Sequence, residues 1–386
     1  MWKIANRSIK AHLFYDKHVI HRLLKSTCLR PLLCLLLPII RANPLIDTRW
    51  HIKIKARHVF SRKIKVGFGP ITTGEDDLAE RKWRIDPIIN AINALKSNYT
   101  AGFFIDPREM EDFDICIIVK KFNPSFIPII SSLKKKNKKL IYDIVDNPNS
   151  EEKYRFYFVD YPDFSNQMNA FILSSPLHQP LVECFSSESL LIEHPIIHDV
   201  YKTDYLNREE VHILAHGYYA NLTHLISIEP IIREVAKETG KKIVLTYHSE
   251  EVFPDTEWIK YLKWTRENSF QQFLKADIAI TNKKMEDMHQ RNKPSTKVIS
   301  FMAAGLPVIC TPTAADRLVI EDGVTGLYAF TPLEWKQHLT ELVLSAKRRE
   351  QIGRAARESV LNKYSIEAIT EKYLFLFNKV STNTMT

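Results

Sequence analysis

Apolar and polar positions follow two alternating patterns along most of this chain. IKVGFGP (64–70) is a short apolar run stopped by glycine and proline, which reads as a buried strand. RIDPIINAINALK (84–96) puts Ile88, Ile92 and Leu95 on one face and predicts a helix, with Asp86 as its N-cap and Pro87 as its first residue. DFDICIIVKKF (112–122) holds a strand, NPSFIPIISSLKKKNKK a helix with a solvated basic end, and KLIYDIVDN (139–147) another strand. AFILSS (170–175) adds one more, and IEHPIIHDVYKTDY (192–205) reads as a linker. The alternation then restarts. VHILAHGYY (211–219) is a strand running into a glycine turn, and 221–239 is mainly helical, closed by Gly240. KIVLTYH (242–248) and ADIAITN (276–282) are strands, and the stretch between them holding Trp258 and Trp264 is expected to be helical. In TPLEWKQHLTELVLSAKRR, Thr331, Pro332 and Glu334 form a capping-box start, and Trp335, Leu339, Leu342 and Val343 form a buried stripe. A last helix near 366–379 precedes the polar STNTMT.

Strands alternating with helices predict an α/β fold with parallel sheets. Two such series predict two doubly wound, Rossmann-like domains facing across a cleft. The expected boundaries are a basic, partly apolar arm at 1–60, an N-terminal domain at 61–200, a C-terminal domain at 201–365, and a closing helix and tail at 366–386. With 386 residues, 45% of them hydrophobic, there is apolar material for two cores. Ligands of such sheets bind at the carboxyl ends of the strands, so the cleft is the expected site.

Charge changes this picture at one end only. The net charge is +9, yet residues 1–65 carry 15 Lys+Arg against Asp16 and Asp47. The remainder is mildly acidic, which argues against a nucleic-acid-binding body. Within the basic arm, PLLCLLLPII (31–40) is too short to cross a bilayer, which takes about 20 residues. It reads as an interfacial segment on an anionic membrane. The alternatives are a helical arm packed on the protein's own body and a signal peptide, although no small-residue cleavage site follows. The five cysteines show no C-x-x-C, which fits a reducing compartment and offers no zinc site. Sequons at Asn98 and Asn221 carry no weight in a cytosolic chain.

Candidate chemistry concentrates in KPSTKVISFMAAGLPVI (293–309). A helix starting at Pro294 or Ser295 would point free N–H groups at the cleft and attract an anion. Ser295 and Thr296 add hydroxyls, and Lys293 and Lys297 add full charges. Ordinary capping with solvated lysines is the alternative. In GFGPITTG (67–74), Gly69 and Pro70 form a turn that either approaches a ligand or is a plain turn. Arg84 and Lys120 either meet an anionic acceptor or form surface salt bridges. Asp146 lies just past its strand, where it would contact the acceptor or begin the turn at Asn147-Pro148. Asp112-Phe113-Asp114 matches a three-letter metal-binding signature, which is a weak signal.

From about residue 290 to 377 the chain resembles the C-terminal domain of GT-B glycosyltransferases, above all the large retaining group that uses nucleotide-diphospho-sugars. FMAAGLPVI, IEDGVTGLY, EWKQHLTELV, REQIGRAARESV and KYS carry the resemblance in order and spacing. AHGYYAN and IKVGFGP match the glycine turns opening the two domains. The resemblance implies a UDP- or GDP-sugar as donor, no other cofactor, no metal, and a retaining transfer. It implies a lipid-linked or oligosaccharide acceptor in cell-surface polysaccharide synthesis, lipopolysaccharide included, with the protein peripheral on the cytoplasmic face of the plasma membrane. Lys293 and Lys297 then clamp the diphosphate as the main catalytic groups, beside Asp146. Ser295, Thr296, His216, Gly217, Tyr218 and Asn221 are the other donor contacts, and Gly69, Pro70, Arg84 and Lys120 face the acceptor. One departure stands out. The group carries two glutamates eight residues apart that contact the donor sugar and ribose, and here those positions are Asn292 and Ser300. An inverting transfer would need a base, for which Asp143, Asp146 and His248 are the candidates. A polyol-phosphate-type transferase on the same fold and a non-catalytic GT-B-like partner subunit are the alternative readings.

Overall fold

The computed structural model describes residues 62–70, 81–120, 122–145, 158–185, 188–217, 225–249 and 251–382. The chain divides into Met1–Lys63 and Ile64–Thr386, and the second unit carries both expected sheets. The expectations for the basic arm fall outside the described residues, as do those for Asp146, Tyr218 and Asn221. No helix among the described residues is long and apolar enough to cross a membrane.

The first sheet contains β1 (Ile64–Gly69), β2 (Tyr99–Phe103), β3 (Ile115–Val119), β4 (Lys139–Asp143), β5 (Ala170–Leu173) and β6 (Glu188–Leu191). Its order is β2-β1-β3-β4-β5-β6, and every pairing is parallel. Runs such as ICIIV in β3 are apolar on both faces because helices cover both sides. α1 (Asp86–Ala94) and α2 (Ile127–Lys135) are two of these helices. The second sheet contains β7 (Glu210–His216), β8 (Lys242–Ser249), β9 (Ile259–Lys263), β10 (Ile278–Thr281), β11 (Val308–Cys310) and β12 (Leu327–Tyr328). Its order is β12-β11-β10-β7-β8-β9, again parallel throughout. α3 (Glu229–Thr239), α4 (Arg266–Lys275), α5 (Thr296–Ala303), α6 (Pro332–Leu344) and α7 (Ala346–Tyr364) pack around it. The predicted fold class, two doubly wound α/β sheets, is borne out.

α8 (Ile366–Thr382) returns to the first half. Asn378 Oδ1 accepts a 2.7 Å bond from the Tyr99 hydroxyl, and Tyr373 packs on Phe68 with ring centroids 5.8 Å apart. Lys379 pairs with Glu188 at 2.6 Å. The last helix therefore ties the two sheets into one body.

Several local readings hold. Gly240 ends α3 with φ +68°, and Thr331 and Glu334 exchange the two bonds of a capping box at α6. Two do not. Asp86 does not cap α1, because a π-helical turn at Arg81–Ile85 leads straight into that helix and the Asp86 carboxylate takes Arg81 at 3.1 Å. The Trp258–Trp264 stretch is mainly strand β9, not helix. Ile259 and Tyr261, two residues apart, pack on the core around β8, with the Tyr261 ring 6.3 Å from Tyr247. That period-two signal outweighs the tryptophan spacing.

Candidate active site

The order in which strands are added to the second sheet reverses between β7 and β10, which are themselves parallel. β7, β8 and β9 run outward one way, and β10, β11 and β12 the other. Such a switch point opens a crevice at the carboxyl ends of its two central strands. His216 ends β7, and Thr281, Asn282 and Lys283 end β10 or follow it. α5 starts beside them, with Ser295 as its N-cap. The predicted anion-binding helix is therefore a helix, and it begins at the switch point.

Ser295 does not cap this helix with its side chain. Its Oγ is buried and has no hydrogen-bond partner, although a capping serine would spend it on a first-turn N–H. The first-turn donors of α5 thus stay free of side-chain caps. Lys297 is held down to about 7 by burial and by the charges of Lys293 and Lys283, with Asp316 opposing. Asp316 itself is fully buried, and its Oδ2 is taken by the Lys283 ammonium, by the Thr313 N–H at 2.8 Å and by the Thr313 hydroxyl at 2.9 Å. Sequence reasoning missed Lys283, Thr313 and Asp316. Lys283 carried a readable signal, since it lies two residues past the end of β10, as His216 lies at the end of β7.

His216 joins this cluster from β7. Burial pushes its pKa well below the ordinary histidine value, and the nearby charges of Lys297 and His248 push the same way. Its ring meets Trp83 at 6.5 Å, Trp264 at 6.3 Å and His248 at 5.7 Å between centroids. Trp83 belongs to the first half and also reaches Trp264 at 6.2 Å and Phe270 at 6.0 Å. An aromatic wall spanning both halves therefore adjoins the lysines. His248 spends its Nε2 on Asn268 Oδ1 at 2.9 Å and the Lys263 carbonyl at 3.2 Å, and burial is the main cause of its lowered pKa. Gly217 donates its N–H to the His248 carbonyl at 3.1 Å.

Residues expected on the acceptor side separate from this cluster. Arg84 is fully buried rather than at the surface. Its Nε and Nη2 bond the two oxygens of Asp143 at 2.8 and 3.1 Å, and Nη2 also bonds the Ile192 carbonyl at 3.0 Å. Its place as an acceptor contact is corrected on that ground: every reach of the guanidinium is internal. The same pair removes Asp143 as a free base. Lys120 directly follows β3 with φ +57°, and its charge helps lower the pKa of buried His194 after burial itself and Arg84. Gly67 and Gly69 are explained by packing. A Cβ on Gly67 would lie 2.6 Å from the Phe113 ring, and one on Gly69 would lie 2.3 Å from the Phe104 carbonyl oxygen. Gly69-Pro70 is a cis bond.

Asn292 and Ser300 are both turned inward. Asn292 Nδ2 donates to the Met288 carbonyl at 2.8 Å, and Ser300 Oγ to the Thr296 carbonyl at 2.9 Å. Asp114 accepts from the Lys65 N–H at 3.0 Å, at the amino ends of the strands and away from the crevice. Among the described residues no three His, Cys, Asp or Glu side chains converge as metal ligands.

Comparison with known proteins agrees with this geometry. Residues 228–374 match the family model described as "Glycosyl transferase-like". Spore coat protein SA of Bacillus subtilis is 24% identical over 158 residues, which is 37% of this chain and 42% of that protein. The chain thus spans less than half the length of the curated relative it matches. Anabaena HepE, solved in complex with UDP and glucose, superposes with a TM-score of 0.58 at 10% identity, covering 82% of this chain and 100% of that one. A Staphylococcus aureus TarM mutant, solved in complex with fondaparinux, alpha-GlcNAc-glycerol and UDP, gives 0.51 at 17% identity over 68% of this chain and 55% of that one. The chain shares the fold of these solved glycosyltransferases, and its residues 228–374 are similar to the glycosyl transferase-like family. The resemblance expected from FMAAGLPVI and the phrases after it is borne out.

Proposed function

We propose that the protein transfers a sugar from a nucleotide-diphospho-sugar to a glycan or lipid-linked acceptor in cell-surface polysaccharide synthesis. The observation that carries this reading is the Lys297 ammonium, held down to about 7 beside two other lysines, at the start of a helix whose N-cap serine caps nothing. A bound diphosphate would supply counter-charge to a cluster in which Asp316 compensates Lys283 and in which Lys293 and Lys283 act against the charge of Lys297. As the sugar–phosphate bond breaks, the same groups stabilise the charge growing on the leaving diphosphate, with no step that requires a metal. Asp143 is spent on Arg84, whereas His248 keeps an unpartnered Nδ1 while its Nε2 meets Asn268 and the Lys263 carbonyl. In the retaining course that the resemblance implies, the leaving phosphate takes the acceptor's proton. UDP in the HepE and TarM structures supports UDP as the first donor nucleotide to try.

Hydrolysis of UDP-, GDP- and CDP-sugars by the full chain tests the proposal. Turnover with a UDP- or GDP-sugar is expected. Turnover with a CDP-linked donor alone would place the protein among phosphate-group transferases, and neither binding nor turnover would leave a non-catalytic subunit. The basic N-terminal arm supports a peripheral place on the inner face of the plasma membrane. Deleting residues 1–60 should release the protein from anionic vesicles, and unchanged sedimentation would refute that placement.

A further inference from the structure

Asp316 holds a feature that an ion pair with Lys283 does not use. Its carboxylate is fully buried, yet the two oxygens are treated very differently. Oδ2 takes three donors, namely Lys283 Nζ, the Thr313 N–H and the Thr313 hydroxyl. Oδ1 takes none, although it too is shielded from solvent. A buried carboxylate oxygen with no donor is costly, and native proteins leave few such atoms. The Lys283 and Thr313 contacts also fix the carboxylate plane, so Oδ1 has a set direction. The neighbouring Ala315, Leu318 and Val319 line a cavity with Ser295, whose own buried Oγ is likewise without a partner, and with Ser174, Pro176, Leu191 and Glu193 of the first half, while Asp316 is not itself in that lining. Asp316 is close enough to Lys297 to raise its pKa.

We infer that Asp316 Oδ1 receives a hydroxyl of the donor and thereby sets donor specificity beside the lysine cluster. The ligand chemistry is a neutral O–H donor attached to a diphosphate, from either the ribose or the transferred sugar. A second anion there would meet a carboxylate, and an apolar group would leave Oδ1 unsatisfied. A hydroxyl satisfies it with a charge-assisted bond. Asn292 and Ser300 offer no rival, since both side chains bond their own helices. The inference rests on the donor reading proposed above.

Calorimetric titration of the full chain and its Asp316→Asn variant separates the two ideas. The ligands are inorganic pyrophosphate, UDP with its 2′- and 3′-deoxy analogues, and UDP-glucose with its singly fluoro-deoxy analogues. Pyrophosphate should bind Asp316→Asn at least as tightly as wild type, because a negative charge beside the lysines is removed. In the wild type, loss of one hydroxyl should cost about tenfold in affinity, and in Asp316→Asn the same loss should cost less than about threefold. A ribose analogue giving that result assigns the ribose, and a fluoro-sugar assigns the transferred sugar. Equal discrimination by the two proteins would overturn the inference and leave Asp316 as a counter-ion. Failure of the wild type to bind pyrophosphate and UDP would overturn the donor reading and this inference with it. If Asp316→Asn melts early, Lys283→Met/Asp316→Leu removes both charges together and carries the same comparison.

Discussion

Each half of the molecule encloses a basic side chain at the carboxyl end of its sheet, and the two are held in opposite ways. Arg84 in the first half is fully buried against Asp143. Burial alone would lower its pKa, but the Asp143 charge and hydrogen bonds raise it above the ordinary value. Lys297 in the second half is pushed down to about 7, by burial first and then by Lys293 and Lys283. The nearby acid, Asp316, is committed to Lys283. The fully buried Arg84 is thus a structural clamp, and the half-buried Lys297 is the cation that the proposed anion site would use. What decides is whether the fold supplies the counter-charge.

The largest effect should come from breaking the clamp. Asp143→Asn leaves the Arg84 guanidinium buried without its charge partner, which costs about 3–5 kcal/mol. Urea unfolding should show that loss, while UDP affinity of the folded fraction stays within about twofold. A loss under about 1 kcal/mol would mean that Arg84 finds another partner, and the contrast between the halves would weaken.

Lys297→Met attacks the other side and should separate stability from function. Losing a charge-assisted contact to the diphosphate should cost about 1.5–3 kcal/mol, or about 10- to 150-fold in UDP affinity. The unliganded fold should gain stability, because a half-buried ammonium that Lys293 and Lys283 repel is removed. The sign with pH follows from a folded pKa below the unfolded value of 10.5. Between about 7 and 10.5 the unfolded chain binds more protons, so wild-type stability rises with pH across that window. The advantage of Lys297→Met should be greatest below pH 7 and gone above about 10.5. An Arg84→Met control should destabilise at neutral and alkaline pH, since the buried Asp143 carboxylate would lose its charge partner.

Proton uptake should be smaller but diagnostic. A diphosphate beside Lys297 raises its pKa, so binding at pH 8 should take up a fraction of one proton. Calorimetry in buffers of different ionisation enthalpy reads that number directly. Affinity should be highest below pH 7 and decline as pH rises above it. No uptake in wild type, or equal uptake in Lys297→Met, would show that Lys297 does not face the phosphates.

How much of this was legible in the sequence depends on the kind of signal. The two α/β series, the capping box at Thr331 and the helix after Lys293 were readable because local pattern specifies them. β9 was misread because Trp258 and Trp264 drew attention from the Ile259–Tyr261 alternation. Arg84 was read as an acceptor contact because its partner lies 59 positions away in the chain. Asp316 was missed for a similar reason. It lies 33 positions from Lys283, and only the switch-point geometry brings them together. Local periodicity predicts elements, and pairing across the sheet decides which charges are spent.

The smallest effects should come from Asn292 and Ser300, the positions where the resembling group carries its two glutamates. Both side chains bond a carbonyl one turn earlier in their own helices, at 2.8 and 2.9 Å. Such back-bonds contribute little to helix stability. Asn292→Ala and Ser300→Ala should therefore each change stability by less than about 1 kcal/mol and UDP affinity by less than about twofold. The same bonds turn both groups away from the crevice, so their loss removes nothing a donor would touch. A tenfold drop in UDP affinity for Ser300→Ala would mean that the side chain rotates outward to meet the ligand. The receptor half would then be less preorganised than Lys297, Lys283 and Asp316 make it. A null result at both positions, beside a large one at Lys297, would place the anion grip in the lysines and the helix N-terminus, and not in the glutamate positions that resemblance alone would have chosen.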